Sequence, residues 1–216
     1  MKKVMKHKGK FIVLAACIVL TTILLAGCVS PAQEHLNKGN AYLDQGEFDE
    51  AIEEFTEAIE LDPEYAVAYY NRGFAYGAKG EYDKAIVDFN KAIELDPEDA
   101  VAYYNRGNAY GQKGEYDKAI ADYNKAIELD PEYAEAYSNR GLAYHYKGEY
   151  DKAIADYSKA IELDPEDALA YYGRGFVYVE LGEKEKAISN FEKFIELSKN
   201  PVLIQVARKM LDELRA

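Results

Sequence analysis

The fold is decided by residues 66–99, which read AVAYYNRGFAYGAKGEYDKAIVDFNKAIELDPED and recur with few changes as residues 100–133. On both sides of Gly80, apolar residues have the spacing of an amphipathic helix. Gly80 suits a helix that ends through a left-handed residue, because glycine has no side chain to clash there. Asp96 precedes Pro97 and therefore avoids the helical region, which ends the second helix. The stretch predicts two helices joined by a tight turn.

The same pattern extends over most of the chain with a period of 34 residues. Glycine recurs at the position of Gly80 in every unit, and proline recurs at the position of Pro97 in the first four. The units are residues 32–65, 66–99, 100–133, 134–167 and 168–201. A helix pair of this size cannot bury its apolar faces alone, so the units are expected to stack on one another. The sequence therefore predicts an all-α solenoid.

The residue types at fixed places in each unit resemble the tetratricopeptide repeat (TPR). That pattern has an aromatic residue at position 4, Gly or Ala at 8, Tyr at 11, Ala at 20 and Pro at 32. In the second unit these are Tyr69, Gly73, Tyr76, Ala85 and Pro97. The resemblance runs from Ala32 to about Asn200 and implies an α-solenoid of five TPR units. Residues 202–216, with one apolar face, are then predicted to form a capping helix.

Two charged positions vary together from unit to unit. An arginine at position 7 accompanies an aspartate at position 23 in the three central units, and these residues are Arg72 with Asp88, Arg106 with Asp122, and Arg140 with Asp156. The first unit has Lys38 and Glu54 at these places, while the fifth has Arg174 and Asn190. We interpret the pairs, including Lys38 with Glu54, as structural ion pairs between the two helices of a unit. A ligand-binding role for the arginines is the alternative.

Residues 1–27 have the layout of a secretory signal peptide. Five lysines precede an apolar run, residues 11–26, that falls short of the roughly 20 residues of a membrane-spanning helix. The run ends in Leu24-Leu25-Ala26-Gly27-Cys28, which resembles the lipobox of bacterial lipoproteins. The resemblance implies cleavage before Cys28 and attachment of a diacylglyceryl group, with fatty acids such as palmitate, to its thiol. The alternative is an uncleaved signal anchor.

A cleaved lipoprotein would be extracytoplasmic and held to a membrane by the lipid on Cys28. Residues 28–31 would form the lipidated N-terminus and a short linker to the first repeat. More than one acyl chain gives durable anchoring, whereas a single chain gives only marginal binding. The residue after Cys28 is Val29, which does not resemble the aspartate signal that retains some lipoproteins in the inner membrane. The sequence leaves open whether the inner or the outer membrane holds the protein.

The charge balance argues against nucleic acid as a partner. The chain has 26 basic and 39 acidic side chains and a formal net charge of −13. All five lysines of the leader lie before residue 28 and no acid does, so residues 28–216 carry 21 basic and 39 acidic side chains, a net charge of −18. Such a body repels phosphate backbones and anionic lipid.

No pattern in the sequence indicates catalysis. Beyond the leader the histidines are His35 and His145, far apart in sequence, and no nucleophile motif or phosphate-binding loop is present. Cys17 lies inside the leader, and Cys28 would be consumed by lipid. We therefore expect no cofactor, no metal site and no enzymatic activity.

The TPR resemblance implies that the first helices of the units line a concave groove. Positions 2, 5, 6, 9, 12 and 13 face a ligand in that family. The candidate groove residues carried over are Asn37, Asn71, Asn105 and Asn139 at position 6, Tyr70, Tyr104 and Tyr172 at position 5, Phe74 and Asn108 at position 9, and His145 at position 12. The asparagines resemble the asparagine ladder of the O-linked N-acetylglucosamine transferases, which implies that they hold the backbone of an extended peptide. The alternative is that they cap local structure or face water.

Units three and four differ mainly at groove positions. The changes at those positions are Val101 to Glu135, Tyr104 to Ser138, Asn108 to Leu142, Gly111 to His145 and Gln112 to Tyr146. Relaxed constraint on the surface would vary the outer faces equally, so the groove is interpreted as a binding surface. It lacks the basic residues with which chaperone-binding TPR domains clamp a carboxylate, and it carries Asp44, Glu135 and Glu180. A neutral or basic partner segment is expected.

Together these features predict a membrane-anchored scaffold that docks extended segments of partner proteins and assists assembly of an envelope complex. A self-associating solenoid or structural spacer without a peptide ligand is the alternative.

Overall fold

The structure is a computed structural model and describes residues 29–216. The predicted all-α solenoid is confirmed for these residues, which form eleven helices and no strand. The helices are α1 Pro31–Gln45, α2 Phe48–Leu61, α3 Ala66–Ala78, α4 Tyr82–Leu95, α5 Ala100–Gln112, α6 Tyr116–Leu129, α7 Ala134–Tyr146, α8 Tyr150–Leu163, α9 Ala168–Glu180, α10 Lys184–Leu197 and α11 Pro201–Arg215. The predicted signal peptide and Cys28 lie outside the described residues.

Each repeat is a pair of helices joined by a turn at glycine. Gly80 has φ +77°, in the left-handed region, and its N–H donates to the carbonyl of Gly77 while the N–H of Glu81 donates to that of Tyr76. These bonds satisfy carbonyls that the end of α3 would otherwise leave unpaired. The glycines that end the other four first helices have φ between 71° and 76°.

The core lies between the two helices of each pair, where glycine on the first helix faces an aromatic ring on the second. A Cβ built on Gly73 would lie 3.1 Å from the Phe89 ring, and one built on Gly107 would lie 2.8 Å from the Tyr123 ring. Phe89 and Tyr123 are both buried. The small residue therefore sets how closely the helices approach.

The solenoid curves towards its first helices. Each of α3, α5, α7 and α9 packs on the first helix of the preceding repeat, and no comparable contact joins successive second helices among residues 29–216. First helices that touch while second helices are spread apart require the first helices to lie on the inside of the curve. The inner surface is therefore formed by α1, α3, α5, α7 and α9.

The arginine at position 7 ties three helices together. Arg72 donates from Nε and Nη2 to the buried carboxylate of Asp88 at 2.7 and 2.8 Å, which confirms the predicted ion pair. Its Nη1 also donates to Thr56 Oγ1 of the preceding repeat at 3.1 Å. Hydrogen bonding to Asp88 raises the pKa of Arg72 above its ordinary value. Arg106 and Arg140 make the same three bonds, to Asp122 and Asn90 and to Asp156 and Asn124.

The predicted pair of Lys38 with Glu54 in the first repeat is wrong. Glu54 instead lies 2.7 Å from Nδ1 of His35, and Lys38 pairs with Glu34 one turn earlier on the same helix at 2.9 Å. His35 occupies the aromatic position of the repeat and so points at the second helix, where its ring nitrogen reaches the carboxylate. Lys38 is about half exposed.

The fifth repeat keeps the arginine and loses the charge of its partner. Arg174 donates from Nε to Asn190 Oδ1 and from Nη1 to Ser158 Oγ, both at 2.9 Å. Without a carboxylate beside it, burial lowers the pKa of Arg174, opposite to the direction found for Arg72.

Helix α11 covers the C-terminal end of the array, one residue earlier than the predicted cap. Asn200 caps its first turn by accepting from the N–H groups of Val202 and Leu203 at 3.0 and 3.2 Å. Its apolar face buries Ala207 and Leu211 against Phe191 and Phe194 of the last repeat. Within residues 29–216 no helix has the length and apolar character needed to cross a membrane.

Candidate functional site

The central asparagines of the inner surface form a hydrogen-bonded ladder between repeats. Asn71 Nδ2 donates to Asn40 Oδ1 at 2.7 Å, and Asn105 Nδ2 donates to Tyr70 Oη at 2.9 Å and to the Val101 carbonyl at 3.0 Å. Asn139 Nδ2 donates to Tyr104 Oη and to Asn108 Oδ1, both at 2.9 Å. The structure thus brings Tyr70, Tyr104 and Asn108 into contact with the predicted asparagines.

The ladder leaves the Oδ1 acceptors of its asparagines free for a ligand. Asn105 and Asn139 each donate two amide hydrogen bonds to the neighbouring repeat or to their own helix, and Asn71 donates one to Asn40. Within residues 29–216 no hydrogen bond reaches the Oδ1 of any of the three. The resemblance to an asparagine ladder implied that these side chains hold the backbone of an extended peptide. Asparagine Oδ1 atoms with open lone pairs can accept from peptide N–H groups or from basic side chains.

Asn37 does not belong to this ladder. It is exposed, and its Oδ1 accepts from Nε2 of Gln33 at 3.0 Å on the same helix. Gln33 Oε1 in turn accepts from Tyr65 Oη at 2.6 Å. Among the described residues no repeat precedes the first one, so the pattern of bonds between repeats starts at Asn71.

Two residues of the ladder were not predicted from the sequence, and each takes part through a hydrogen bond to a predicted asparagine. Asn40, at the same position as Asn108, is the acceptor for Asn71. Tyr123, a core residue, donates from Oη to Asn108 Oδ1 at 2.8 Å and so orients the Asn108 amide from the core side. Burial raises the pKa of Tyr70, which accepts from Asn105, to about 12. The sequence could have indicated Asn40, because asparagine occupies position 9 both there and at Asn108.

The ladder stops between the fourth and fifth repeats. Ser138 stands where the earlier repeats have Tyr70 and Tyr104, and Gly173 stands where they have asparagine. The ring of Tyr157 occupies the vacated space, since a Cβ on Gly173 would lie 2.4 Å from its Cζ. Tyr157 Oη has no hydrogen-bond partner among the described residues, because Leu142 replaces the acceptor that Asn108 supplies to Tyr123.

The remaining predicted residues are spread along the inner surface. Tyr172 packs within an aromatic group of the last repeat, with its ring 4.8 Å from Phe176 and 4.6 Å from Phe194. His145 is half-buried at the end of α7; burial lowers its pKa, and Glu180 acts in the opposite direction. Neither residue bonds to the ladder.

A strip of exposed apolar side chains runs beside the ladder. These residues, which we name the inner apolar strip, occupy positions 2 and 9 of the first helices and are 41–59% exposed; they are Val67, Phe74, Val101, Leu142 and Leu169. Large apolar side chains that line up on one exposed surface are typical of an interaction site. The strip includes Phe74, which was predicted from sequence.

The described residues offer little for metal chemistry. No group of three or more His, Cys, Asp or Glu side chains in residues 29–216 could hold a metal ion.

Solved structures with this architecture include two that bear the name MamA and a TPR protein with a peptide-binding site. MamA is 34% identical, with 73% of this chain and 92% of that one covered and a TM-score of 0.68. MamA from Desulfovibrio magneticus RS-1 is 27% identical, covers 78% and 96%, and has a TM-score of 0.73. YrrB, a TPR protein with an unusual peptide-binding site, is 28% identical, covers 81% and 90%, and has a TM-score of 0.67. No curated protein matches the chain.

Family models match nearly all of the repeated region. A model described as TPR repeat matches residues 39–80, 78–114, 107–148 and 142–182, and one described as tetratricopeptide repeat matches residues 168–201. These matches agree with the helix pairs, the glycine turns and the stacked first helices of the structure. The chain therefore belongs to the tetratricopeptide-repeat family.

Proposed function

We propose that this protein is a lipid-anchored, extracytoplasmic scaffold whose inner surface docks an extended segment of a partner protein. The observation that carries the docking proposal is the inner apolar strip lying beside a ladder with open Oδ1 acceptors. An extended peptide presents both groups that this surface can use. Its main-chain N–H groups donate to the asparagines, and its alternate side chains rest on the apolar strip.

Charge favours a neutral or basic segment. The inner surface carries exposed Glu135 and Glu180, and none of its positions 2, 5, 6, 9, 12 and 13 holds a lysine or arginine. The net charge of −18 on residues 28–216 also speeds the approach of basic partners at low salt. The peptide-binding site of YrrB, at 28% identity, supports this use of the fold.

The anchor is proposed from the leader and from Cys28. On that proposal the scaffold holds its partner at a membrane surface, where assembly of an envelope complex takes place.

Removing the inner apolar strip tests the docking proposal. Replacing both Phe74 and Val101 with serine should weaken partner binding by about thirtyfold, since each half-exposed side chain contributes about 1 kcal/mol. Melting temperature should change little, because both side chains are exposed. The measurement is capture of partners by a photo-crosslinking amino acid at position 70 in living cells, followed by affinity measurement with the identified partner.

The matched control is Val87→Ser. Val87 is 65% exposed, but it lies on the second helix α4 and away from the inner surface. Undiminished binding by the double variant, or equal loss in the Val87 control, would rule out the inner surface as the docking site. Light scattering of the purified protein would then show whether the alternative, a self-associating spacer, takes its place.

A further inference from the structure

The fourth repeat carries an aromatic cluster at the end of its first helix. Its positions 12 and 13 are His145 and Tyr146, where the other repeats have Leu43-Asp44, Gly77-Ala78, Gly111-Gln112 and Val179-Glu180. The Tyr146 ring lies nearly parallel to the Tyr116 ring of the preceding repeat, with centroids 5.0 Å apart and planes at 11°. The His145 ring lies 6.0 Å from Tyr146 and 5.9 Å from Tyr150. We name Tyr116, His145, Tyr146 and Tyr150 the aromatic cluster.

The aromatic cluster is open to a ligand. Tyr146 is 62% exposed, which is unusual for an aromatic ring that packs against others. Removal of this side chain would not open a cavity in the core. Tyr146 packs on Tyr116 and His145 with one part of its ring and leaves the rest of the side chain exposed.

Eight other tyrosine rings in residues 29–216 are covered by cations. The ring at position 4 lies under an arginine in four repeats, and the ring at position 11 lies under a lysine in four repeats, with distances of 5.1–5.7 Å to the ring centroid. The pairs are Arg72–Tyr69, Arg106–Tyr103, Arg140–Tyr137, Arg174–Tyr171, Lys84–Tyr76, Lys118–Tyr110, Lys152–Tyr144 and Lys186–Tyr178. Among residues 29–216 no lysine or arginine lies over Tyr146 in this way. The exposed ring thus offers a surface that suits a cation.

A carboxylate beside the cluster complements a positive ligand. Glu180 occupies position 13 of the fifth repeat, the position that Tyr146 occupies in the fourth, and the first helices of these two repeats pack on each other. The charge of Glu180 opposes the lowering of the His145 pKa. Glu180 makes no ion pair with the described residues. The nearby Lys147 is already bound to Asp117 and Glu149, at 2.6 and 2.7 Å, so it does not neutralise Glu180.

We propose that the aromatic cluster and Glu180 bind the guanidinium group of an arginine side chain in the docked segment. The proposal rests on the proposed function, since it assigns one subsite of the same inner surface. A guanidinium is planar and stacks on aromatic rings, while its N–H groups bond a carboxylate in a bidentate manner; a lysine ammonium cannot do both. The site selects partner segments in which an arginine lies opposite the fourth repeat.

A single amino acid tests the subsite apart from the groove. The probe is N-acetyl-arginine amide, compared with N-acetyl-citrulline amide, which has the same shape without the charge. The full chain in detergent micelles, labelled at its three histidines, is titrated and the NMR signal of His145 followed, with His145→Gln used to assign it. We expect the arginine probe to shift this signal and the citrulline probe to bind much more weakly.

Single substitutions test which side chains bind the arginine probe. Tyr146→Leu should weaken the arginine probe about two- to fivefold, the range of an exposed cation–π contact, and Glu180→Gln should weaken it and reduce its sensitivity to salt. Gln112→Leu, at the same position of the third repeat, is the matched control and should change nothing. Equal affinity for citrulline, or undiminished affinity in Tyr146→Leu, overturns the proposal.

The outcomes separate this subsite from the docking function. Arginine binding at the cluster together with unchanged partner binding in the Phe74 and Val101 double variant leaves the subsite standing and removes the docking role of the strip. Loss of partner binding in that double variant, with no arginine binding at the cluster, overturns the subsite alone.

Discussion

At the scale of single residues, the structure separates two tyrosines that the sequence makes look equivalent. Tyr123 and Tyr157 hold the same position in adjacent repeats and are both buried. Tyr123 Oη donates to Asn108, whereas Tyr157 Oη has no partner among the described residues. A buried hydroxyl without a partner costs free energy, while a bonded one contributes about 1 kcal/mol.

We therefore expect the two Tyr→Phe variants to have different effects on the free energy of unfolding. Tyr123→Phe should lower the free energy of unfolding by about 1 kcal/mol, because Asn108 loses a donor. Tyr157→Phe should leave it unchanged or raise it by up to about 1 kcal/mol, because an unpaired polar group is removed from the core. Urea unfolding followed by circular dichroism measures both. Equal destabilisation in the two variants would show that Tyr157 does find a partner.

At the scale of helices, the position-7 arginines join each repeat to the one before it. Arg106 connects α5 to Asp122 on α6 and to Asn90 on α4. Asp122 is only 6% exposed, so the carboxylate depends on this arginine for its charge partner. Arg174 makes the same connections, but to the neutral Asn190 and Ser158.

Removal of the position-7 arginine should therefore lower the free energy of unfolding more in the third repeat than in the fifth. Arg106→Ala should lower the free energy of unfolding by about 3 kcal/mol or more, because it strands a buried carboxylate. Arg174→Ala should cost about 1 kcal/mol, since only neutral groups lose their bonds. The comparison uses urea unfolding at one salt concentration. A similar loss in both variants would argue that packing of the arginine stem, rather than charge, stabilises the junction.

At the scale of the whole molecule, the repeat unit could be predicted from sequence because its signals are local. The glycine turns, the Asp-Pro stops and the helical spacing all act within about 34 residues, and they placed every helix pair. The direction of the ladder's hydrogen bonds could not be predicted, because each depends on a residue 31 or 35 positions away in another repeat. The predicted pair of Lys38 with Glu54 was wrong because His35, on the same helix as Lys38, contacts the Glu54 carboxylate instead.

The anchor proposal also belongs at this scale. Cys28→Ser should leave a precursor that keeps its leader and takes up no labelled fatty acid, because on this proposal the Cys28 thiol accepts the lipid. The measurements are gel mobility and incorporation of labelled palmitate in cells, and Ser30→Ala serves as a control near the same site. Normal processing and labelling of the Cys28 variant would contradict the anchor.

The start of α1 at Pro31, capped by Ser30, has a consequence for how such an anchored protein would search for its partner. Two residues separate Cys28 from the helix, and they span about 10 Å even when extended. The solenoid would therefore have almost no tether. It would diffuse with its lipid in two dimensions and sample a layer close to the headgroups. Segments released into the surrounding fluid would seldom enter that layer, so its partners would be proteins that themselves reside at the same membrane.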